Sequence, residues 1–486
     1  MSRLSYTRRD FLKAAGLGMA VAALPGCMTV PQCSTVKDKR PNILLLFPDQ
    51  HRFDWLGHNR ELPLRTPNLD ALAERGVLFT NALCPSPLCA PSRACLAAGK
   101  EYDRCGVPTN GQNYPVEQTT FYTLLKDSGY YVMGCGKFDL CKPAKSWGRD
   151  GKHRVDGKCY LNIWGFSDGI DNGGKHDGVD AYRKGIIEPY TAFLAERNLA
   201  EVHSEDFRNR HNFKTTTATL LPDDAYVDNW IAANGLELLG KAPTDKPWFL
   251  QVNFNGPHPP MDITKRMKDR WRGVAFPPPN GSSEIPAEKH SEIRQNYAAM
   301  IENIDRCIGI YIEHLRKTGQ LENTLIVYSS DHGEMLGDHD RWSKRMPYQP
   351  SVGVPLIIAG PGVSRARQYK SPVTTMDLGA TFLEYASVPV PKDFDSISMK
   401  SVLQAKRYRH REFVYSGFNS WRLVFDGRYK LIRGFDPAQK TGRRGKTSLN
   451  QPVLLFDLQQ DPLENVNIAD DEPAVVERLT KALDSA

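Results

Sequence analysis

The sequence predicts an α/β fold with a large, mostly parallel sheet flanked by helices and a smaller C-terminal α+β subdomain. Apolar runs of strand length alternate with amphipathic helical segments along most of the 486 residues, which is typical of parallel sheets covered by helices. The runs at 42–47 (NILLLF) and 324–328 (TLIVY) are apolar throughout, as expected of strands buried on both faces. The segment 422–433 (RLVFDGRYKLIR) instead predicts an antiparallel hairpin around Asp426-Gly427.

The elements follow from the apolar periodicity and from helix and turn signals. The predicted strands are 42–47, 77–80, 130–133, 248–254, 324–328, 354–359 and 454–457. The predicted helices are 66–75, 119–127, 225–239, 291–317, 376–385 and 473–483. Between them, residues 142–222 are polar and weakly periodic, and we expect a long insertion over one rim of the sheet.

Domain boundaries follow from changes in composition. Residues 1–34 read as a signal segment, and a Pro-rich linker at 386–393 closes the large domain. We therefore predict a large α/β domain over 40–385, which includes the insertion at 142–222, and the α+β subdomain over 386–486.

Composition excludes several classes of protein. Hydrophobic residues make up 40% and charged residues 24% of the chain, which is typical of a globular protein with a core. The net charge of +7 comes from 63 Lys and Arg interspersed with 56 Asp and Glu. No basic stripe or DNA-reading motif accompanies it, so we expect no nucleic-acid partner.

The N-terminal segment has the pattern of an export signal. Arg8 and Arg9 precede an apolar run at 14–24, which is too short to span a membrane as a helix. The pair resembles a twin-arginine signal, which implies the twin-arginine export machinery as a partner and a location in the periplasm or cell envelope. An ordinary secretory signal with an accidental arginine pair is the alternative.

The end of this run offers one membrane contact. Leu24-Pro25-Gly26-Cys27 resembles a lipobox, which implies a lipid anchor on Cys27. Pro25 departs from the usual small residue, and plain cleavage nearby is the alternative. We expect contact with the membrane only through this anchor.

The ten cysteines do not form a recognised metal motif. They lack the paired C-x-x-C spacing of zinc sites, and the spacing at 84–105 does not match that of iron–sulfur ligands. We expect buried thiols with at most one or two disulfides, whose pairing the sequence does not reveal.

Two predicted strands end in metal-ligand chemistry. Asp49-Gln50 follows the strand at 42–47, and Asp331-His332 follows the strand at 324–328. Ligands of parallel α/β sheets bind outside the carboxyl ends of strands. Oxygen-rich donors favour Ca²⁺ or Mg²⁺ over Zn²⁺, so we expect a hard divalent cation here.

A cysteine motif identifies the chemistry. Cys89-Ala90-Pro91-Ser92-Arg93, continuing to Gly99-Lys100, resembles the signature of type I sulfatases, in the alkaline-phosphatase-like superfamily. The resemblance implies that a formylglycine-generating maturase oxidises Cys89 to formylglycine, whose hydrated aldehyde is the nucleophile. Pro91 suits the first turn of a helix, which would place residue 89 at its positive N-terminus. Ala98 stands where the family usually has Thr.

The resemblance continues along most of the chain. The Asp49-Gln50 pair is similar to that of choline-sulfatases and phosphonate monoester hydrolases. Residues 136–140 match the family's G-K-x-H element with Asp139 in place of His, and 257–260 (PHPP) match a sulfate-contacting histidine element. Residues 331–344 match the second metal element with its distal lysine, and 354–358, 429–432 and 455–462 resemble downstream signatures.

The resemblance also implies a role for each site residue. The implied metal ligands are Asp49, Gln50, Asp331 and His332, with Ca²⁺ favoured and Mg²⁺ as the alternative. The implied groups that neutralise charge on the nucleophile and the sulfate are Arg93, Lys137 and Lys344.

The other implied roles concern the sulfate and its release. His258 would bind sulfate and protonate the leaving group, and Asn110 would lie near the sulfate with Lys344. Asp139 would act either as the base that releases sulfate or only structurally.

These observations predict an exported sulfatase acting on a sulfated small molecule or glycan. A phosphonate or phosphodiester hydrolase of the same fold is the first alternative, which the Asp-Gln pair permits. A non-catalytic sulfoglycan-binding protein is the second, suggested by Ala98 and Asp139.

Overall fold

The computed structural model describes residues 40–143, 160–438 and 451–486. Contacts divide the chain into two units, Met1–Lys37 and Asp38–Ala486. The predicted signal segment with Cys27 lies outside the described residues, as does Cys159. Among the described residues, no helix has both the length and the apolar composition needed to cross a membrane.

The main sheet has eight strands within the described residues, in the order β5-β4-β6-β1-β7-β8-β2-β9. Neighbouring strands are parallel except at β8, which runs antiparallel to both β7 and β2. These strands are β1 (Asn42–Leu46), β2 (Gly76–Phe79), β4 (Tyr131–Gly136), β5 (Asp168–Asp171), β6 (Trp248–Asn253), β7 (Thr324–Ser329), β8 (Leu356–Ala359) and β9 (Arg367–Tyr369). The predicted α/β class is confirmed.

Helices cover both faces of this sheet. Successive β1 side chains alternate between two cores: Ile43 and Leu45 belong to one, Leu44 and Leu46 to the other. The first core includes residues of α2, α3 and α12, and the second includes residues of α1, α8 and α10. The helices are α1 (Pro67–Glu74), α2 (Cys89–Ala98), α3 (Phe121–Asp127), α4 (Tyr160–Ile163), α5 (Gly174–Tyr182), α6 (Pro189–Glu196), α7 (Ala200–Arg208), α8 (Val227–Gly240), α9 (Lys265–Arg270), α10 (Ala287–Lys317), α11 (Gln349–Val352), α12 (Asp377–Tyr385), α13 (Lys400–Leu403) and α14 (Pro473–Asp484).

The predicted insertion at 142–222 is more than a rim loop, and that expectation was wrong in one respect. Its strand β5 is an edge strand of the main sheet and pairs in parallel with β4, Gly134 lying opposite Gly169. The four residues of β5 (DGID) contain two Asp and one Gly, so no apolar run marked them as a strand. Pairing with β4 supplies hydrogen bonds that the local sequence does not announce.

The C-terminal residues form a second, antiparallel sheet with strand order β11-β12-β13-β14. Its strands are β11 (Val414–Phe418), β12 (Trp421–Phe425), β13 (Tyr429–Arg433) and β14 (Leu454–Asp457), and two short strands, β3 (Ala82–Leu83) and β10 (Val373–Thr374), pair separately. The hairpin predicted around Asp426-Gly427 joins β12 to β13. Helix α14 contributes Leu479 to a core with Val424, Leu431 and Leu455. The C-terminal α+β subdomain is therefore present, and its boundary at residue 386 stays a prediction.

The described cysteines are buried thiols. Buried cysteine thiols are found at positions 84, 89, 95, 105, 135, 141 and 307. No disulfide joins any of these described cysteines.

Candidate active site

The predicted metal ligands meet at the carboxyl ends of two adjacent strands. β1 and β7 pair in parallel, so Asp49 and Asp331 leave the same edge of the sheet side by side. The Gln50 backbone has a φ of 72° and donates its N–H to Asp331 Oδ1 at 3.0 Å. Both carboxylates are fully buried. Sequence reasoning placed these residues together correctly.

Cys89 begins helix α2, as Pro91 predicts. Leu88 is extended and precedes the helix, which ends at Gly99 in the left-handed conformation. The Ser92 hydroxyl donates to the Asp331 backbone carbonyl at 2.6 Å, which attaches the first turn to the end of β7. Cys89 Sγ consequently lies 3.3 Å from His332 Nε2 and 3.8 Å from Asp49 Oδ1.

The donor set fits a divalent cation. One ligand atom from each of Asp49, Cys89, Asp331 and His332 lies within 4.8 Å of the others, and all four residues are buried. Two buried carboxylates need positive charge beside them. Carboxylate oxygens favour a hard ion, and the neighbouring amide oxygen of Gln50 adds to that preference.

Three cationic side chains surround this cluster. Arg93 Nε contacts Asp331 Oδ2 at 2.9 Å, and Lys137 Nζ forms an ion pair with Asp49. Lys344 Nζ donates to Gln50 Oε1 at 2.6 Å and to Cys89 Sγ at 3.1 Å. All three are nearly inaccessible to solvent, so their charges act on Cys89 with little screening.

These charges change the acidity of the Cys89 thiol. Burial and the Asp49 carboxylate each raise the pKa of the Cys89 thiol. Lys137, Lys344 and His332 lower it by more, so the thiol pKa lies below its ordinary value. The surroundings of residue 89 therefore stabilise negative charge.

His258 and Asn110 lie around the same point. The half-buried His258 follows β6, and its Nδ1–H donates to the Pro259 carbonyl at 2.5 Å. Burial, followed by the nearby Lys344, holds the His258 pKa well below its usual value. Asn110 Oδ1 accepts from the Ala90 backbone N–H at 3.1 Å, which places its amide beside the first turn of α2.

Asp139 forms ion pairs with Lys137 and Lys142. Its Oδ2 is 3.2 Å from Lys137 Nζ, and its two oxygens are 3.0 and 3.1 Å from Lys142 Nζ. Burial raises the Asp139 pKa, but the opposing effect of Lys137 and Lys142 is larger and lowers the pKa to about 2.

Sequence reasoning assigned no role to three neighbours of the site, which are Glu334, Asn253 and His176. Glu334 is fully buried and accepts from the Gln50 amide and from the Leu336 N–H, so it orients the Gln50 side chain. Asn253 Oδ1, at the end of β6, accepts from Arg93 at 3.0 Å. A polar residue inside an apolar strand run was the available signal for Asn253, and position after Asp331-His332-Gly333 was the signal for Glu334.

His176 had no sequence signal. It lies on α5 in the predicted insertion, and its ring centre is 5.9 Å from that of His258 at an interplanar angle of 70°. Burial first, and then Lys175, lowers its pKa to about 4, so the imidazole is neutral at neutral pH.

Comparison with known proteins gives family-level matches over the whole described region. The family model described as Sulfatase matches residues 41–388, and the model described as N-sulphoglucosamine sulphohydrolase, C-terminal, matches residues 337–486.

Individual relatives agree with these matches. The chain is 26% identical to an arylsulfatase of Clostridium perfringens over 89% of its length and 91% of the relative's. It is 26% identical to an N-acetylglucosamine-6-O-sulfatase of Bacteroides thetaiotaomicron over 80% of its length and 75% of the relative's.

Solved structures show the same fold. A phosphonate monoester hydrolase of Agrobacterium radiobacter aligns with a TM-score of 0.75 at 23% identity, covering 92% of this chain and 95% of that one. A protein solved with its substrate D-glucosamine-2-N,6-O-disulfate aligns with a TM-score of 0.70 at 20% identity, covering 92% and 97%.

Proposed function

The chain belongs to the sulfatase family and is a sulfuric ester hydrolase, and we propose that it cleaves a sulfate ester on a carbohydrate with a nucleophile made from Cys89. One observation carries the proposal. Cys89 begins a helix between two buried carboxylates and within reach of buried lysines, which is where a reactive oxygen and a sulfate anion would both be stabilised.

The proposed nucleophile needs a modification and an ion. Oxidation of Cys89 to formylglycine by a maturase would put the hydrated aldehyde where the thiol lies. Asp49, Gln50, Asp331 and His332 are the residues that would hold the divalent ion, with Ca²⁺ favoured by their oxygen donors. When bound, such an ion supplies positive charge that attracts a sulfate oxygen and favours the ionised form of a neighbouring hydroxyl.

The cationic side chains have separate tasks in this proposal. Lys344, 3.1 Å from Sγ, would bind a sulfate oxygen as the nucleophile attacks sulfur. Lys137, held between Asp49 and Asp139, would stabilise negative charge on the nucleophile. Arg93 holds Asp331 in place and adds positive charge beneath the site.

His258 would serve the leaving group. The His258 Nδ1–H donates to the Pro259 carbonyl, so Nε2 is the ring nitrogen that would accept and donate the proton. Burial, and after it the cationic Lys344, lowers the His258 pKa in the free protein, and a sulfate anion beside both side chains would raise it. We therefore expect His258 to gain a proton when substrate binds and to donate it to the departing alkoxide.

A carbohydrate substrate is supported by the relatives and by the position of His176. One relative is named for N-acetylglucosamine 6-O-sulfate and one neighbouring structure contains a glucosamine disulfate. Helix α5 brings His176 beside His258, on the side where a leaving group would lie. A neutral imidazole there can hydrogen-bond a sugar hydroxyl.

A phosphonate ester or a phosphate diester is the second candidate substrate. The Asp49-Gln50 pair resembles that of phosphonate monoester hydrolases, and one such enzyme shares the fold. Relative kcat/KM on an aryl sulfate and an aryl phosphodiester separates the two. A preference for the phosphodiester would overturn the sulfatase proposal for this chain.

The location in the cell is proposed from sequence alone. Residues 7–27 support export by the twin-arginine route to the periplasm or cell envelope, with Cys27 as the proposed anchor point. Fractionation of cells expressing the full chain, with an Arg8→Lys/Arg9→Lys variant as control, tests this. Retention of the wild-type chain in the cytoplasm would contradict it.

The decisive experiment reads residue 89 directly. Protein produced with an active maturase should give a peptide mass for formylglycine at position 89, and Cys89→Ala should lose at least about a thousandfold in kcat while keeping its thermal stability. Cys307→Ala, at an equally buried cysteine on α10, is the matched control and should keep its activity. Unmodified Cys89, with the maturase active on a control substrate, would favour the non-catalytic sulfoglycan-binding alternative.

A further inference from the structure

The segment that delivers Lys344 to the active site has no regular structure until α11 begins at Gln349. We call residues 341–349 the lysine strap. Lys344 lies between Ser343 and Arg345, whose φ angles of 68° and 78° are both in the left-handed region. A left-handed backbone conformation is unfavourable for residues other than glycine. Contacts with neighbouring structure must therefore hold these two residues in it.

A buried ion pair of the C-terminal subdomain contacts the far end of this strap. Lys430 on β13 and Glu464 form an ion pair in which both side chains have 0% exposure. Lys430 Nζ also donates to the Pro347 carbonyl at 2.9 Å, and Glu464 Oε2 accepts from the Gln349 N–H at 2.5 Å. Each partner therefore holds one backbone group of the strap.

Other contacts fix the strap nearer to Lys344. The Arg345 carbonyl accepts from Trp421 Nε1 at 3.2 Å, and the Arg345 N–H donates to the Pro87 carbonyl at 3.1 Å. The first contact comes from β12 of the C-terminal sheet and the second from the residues just before Cys89. The strap is thus fastened on one side to the C-terminal subdomain and on the other to the nucleophile segment.

We propose that the Lys430–Glu464 pair positions Lys344 for sulfate binding, by holding the strap through Pro347 and Gln349. A buried ion pair is costly to desolvate and contributes little net stability, so stability alone does not account for it. Its two backbone contacts give it a positional task, because a shift of about 1 Å at Lys344 would separate Nζ from both Gln50 and Cys89. This inference rests on the proposed role of Lys344 in sulfate binding.

A double-mutant cycle tests the inference. The variant Lys430→Met/Glu464→Gln removes both charges, and such joint replacement is tolerated better than removal of one partner. We expect it to lower kcat/KM for an aryl sulfate about tenfold, mainly through KM. Added to Lys344→Ala, the same pair of changes should alter kcat/KM by less than about twofold, because the group being positioned is already gone.

Controls separate positioning from loss of stability. Arg411→Met breaks another buried ion pair, with Asp377, which does not contact the strap. It should lower the melting temperature but leave kcat/KM within about twofold of wild type. Lys430→Gln/Glu464→Gln, which also removes both charges but keeps a hydrogen-bonding group at each position, serves if the Met variant does not fold and should lose less activity.

Hydrogen exchange provides a readout that needs no turnover. The amides of the strap should exchange at least about tenfold faster in the double variant, while those of α2 stay unchanged. An additive loss in the Lys344→Ala background, or unchanged exchange in the strap, would overturn the inference. If the wild-type protein cleaves no sulfate ester, the proposed function fails, and exchange in the strap alone decides whether the pair holds it.

Discussion

Asp139 lies between Lys137 and Lys142, and that position decides which role suits it. A carboxylate with a pKa of about 2 is ionised at all working pH values and binds a proton weakly, which makes it a poor base near neutral pH. Its contact with Lys137 is direct, whereas its contact with the nucleophile runs through that lysine. We therefore expect Asp139 to hold Lys137 in place.

Replacing Asp139 by Asn should slow the first chemical step as well as sulfate release. We expect kcat/KM to fall about tenfold, because Lys137 loses one of its two anionic partners. Burst kinetics on an aryl sulfate measure the two steps separately. Asp177→Asn, which removes the next charge beyond Lys142, is the control and should change little. A normal burst with slow steady-state release would instead identify Asp139 as the base.

The pKa of Asp171 is shifted upward, whereas that of Asp139 is shifted downward. Burial raises its pKa to about 8, against 3.8 for the free group, although the Phe138 N–H donates to it at 3.2 Å. The folded protein therefore binds a proton that the unfolded chain has lost, and this contribution to stability falls as pH rises from about 4 to about 8.

Asp171→Asn should remove this loss, since Asn matches the protonated carboxyl. We expect nearly equal melting temperatures for variant and wild type at about pH 4, and a variant more stable by about 3 °C or more at pH 8.5. Thermal unfolding across this range measures it. Asp168→Asn, on the same strand but partly exposed, is the control, and a constant difference at all pH values would contradict the prediction.

Gly174 at the start of helix α5 packs against Lys137, and this contact joins the predicted insertion at 142–222 to the active site. Gly174 has a φ of 72°, and a Cβ there would lie 2.9 Å from Lys137 Cδ and 3.0 Å from Cε. Both contacts are closer than normal carbon packing. The start of α5 and the Lys137 side chain therefore depend on each other.

A pair of Gly→Ala variants separates backbone strain from crowding. Gly185 has a similar φ of 75° but no atom within 4 Å of its ideal Cβ. Both variants should lose about 1 kcal/mol of stability from the left-handed backbone. Only Gly174→Ala should also lower kcat/KM, by about tenfold, because it displaces Lys137. Equal activity in the two variants would show that Lys137 tolerates the shift.

At the scale of the whole molecule, a bound ion would join segments that are far apart in the sequence. Asp49 follows β1 near the beginning of the described chain, while Asp331 and His332 follow β7. Lys137 and Arg93 already offset part of the charge on the two carboxylates, and an ion bound between the carboxylates would add to the folding free energy. Metal binding should therefore stabilise the entire α/β unit.

Calcium should raise the melting temperature of chelator-treated protein. At a concentration 100 times the dissociation constant, the gain is about 2.7 kcal/mol. Calorimetry with Ca²⁺ and with Mg²⁺ measures the gain and the preference for either ion. Asp331→Asn should lose the response, whereas Asp180→Asn, at an exposed acid of α5, should keep it. A wild-type protein insensitive to both ions would argue against the proposed ligand set.

The sequence by itself determined the fold class and most of the site. Asp49 and Asp331 could be placed together because strand-length apolar runs precede them, and parallel strands deliver their ends to one edge. Cys89 could be placed at a helix start because Pro91 suits the first turn. These are local signals, carried by the residues next to each functional group.

Only the tertiary structure decided the remaining features. β5 became a sheet strand through pairing with β4, and His176 came to face His258 through the packing of α5. The Lys430–Glu464 pair reached the lysine strap because the C-terminal sheet lies against it. Each depends on contacts between segments distant in sequence, whose free energy no short window of residues contains.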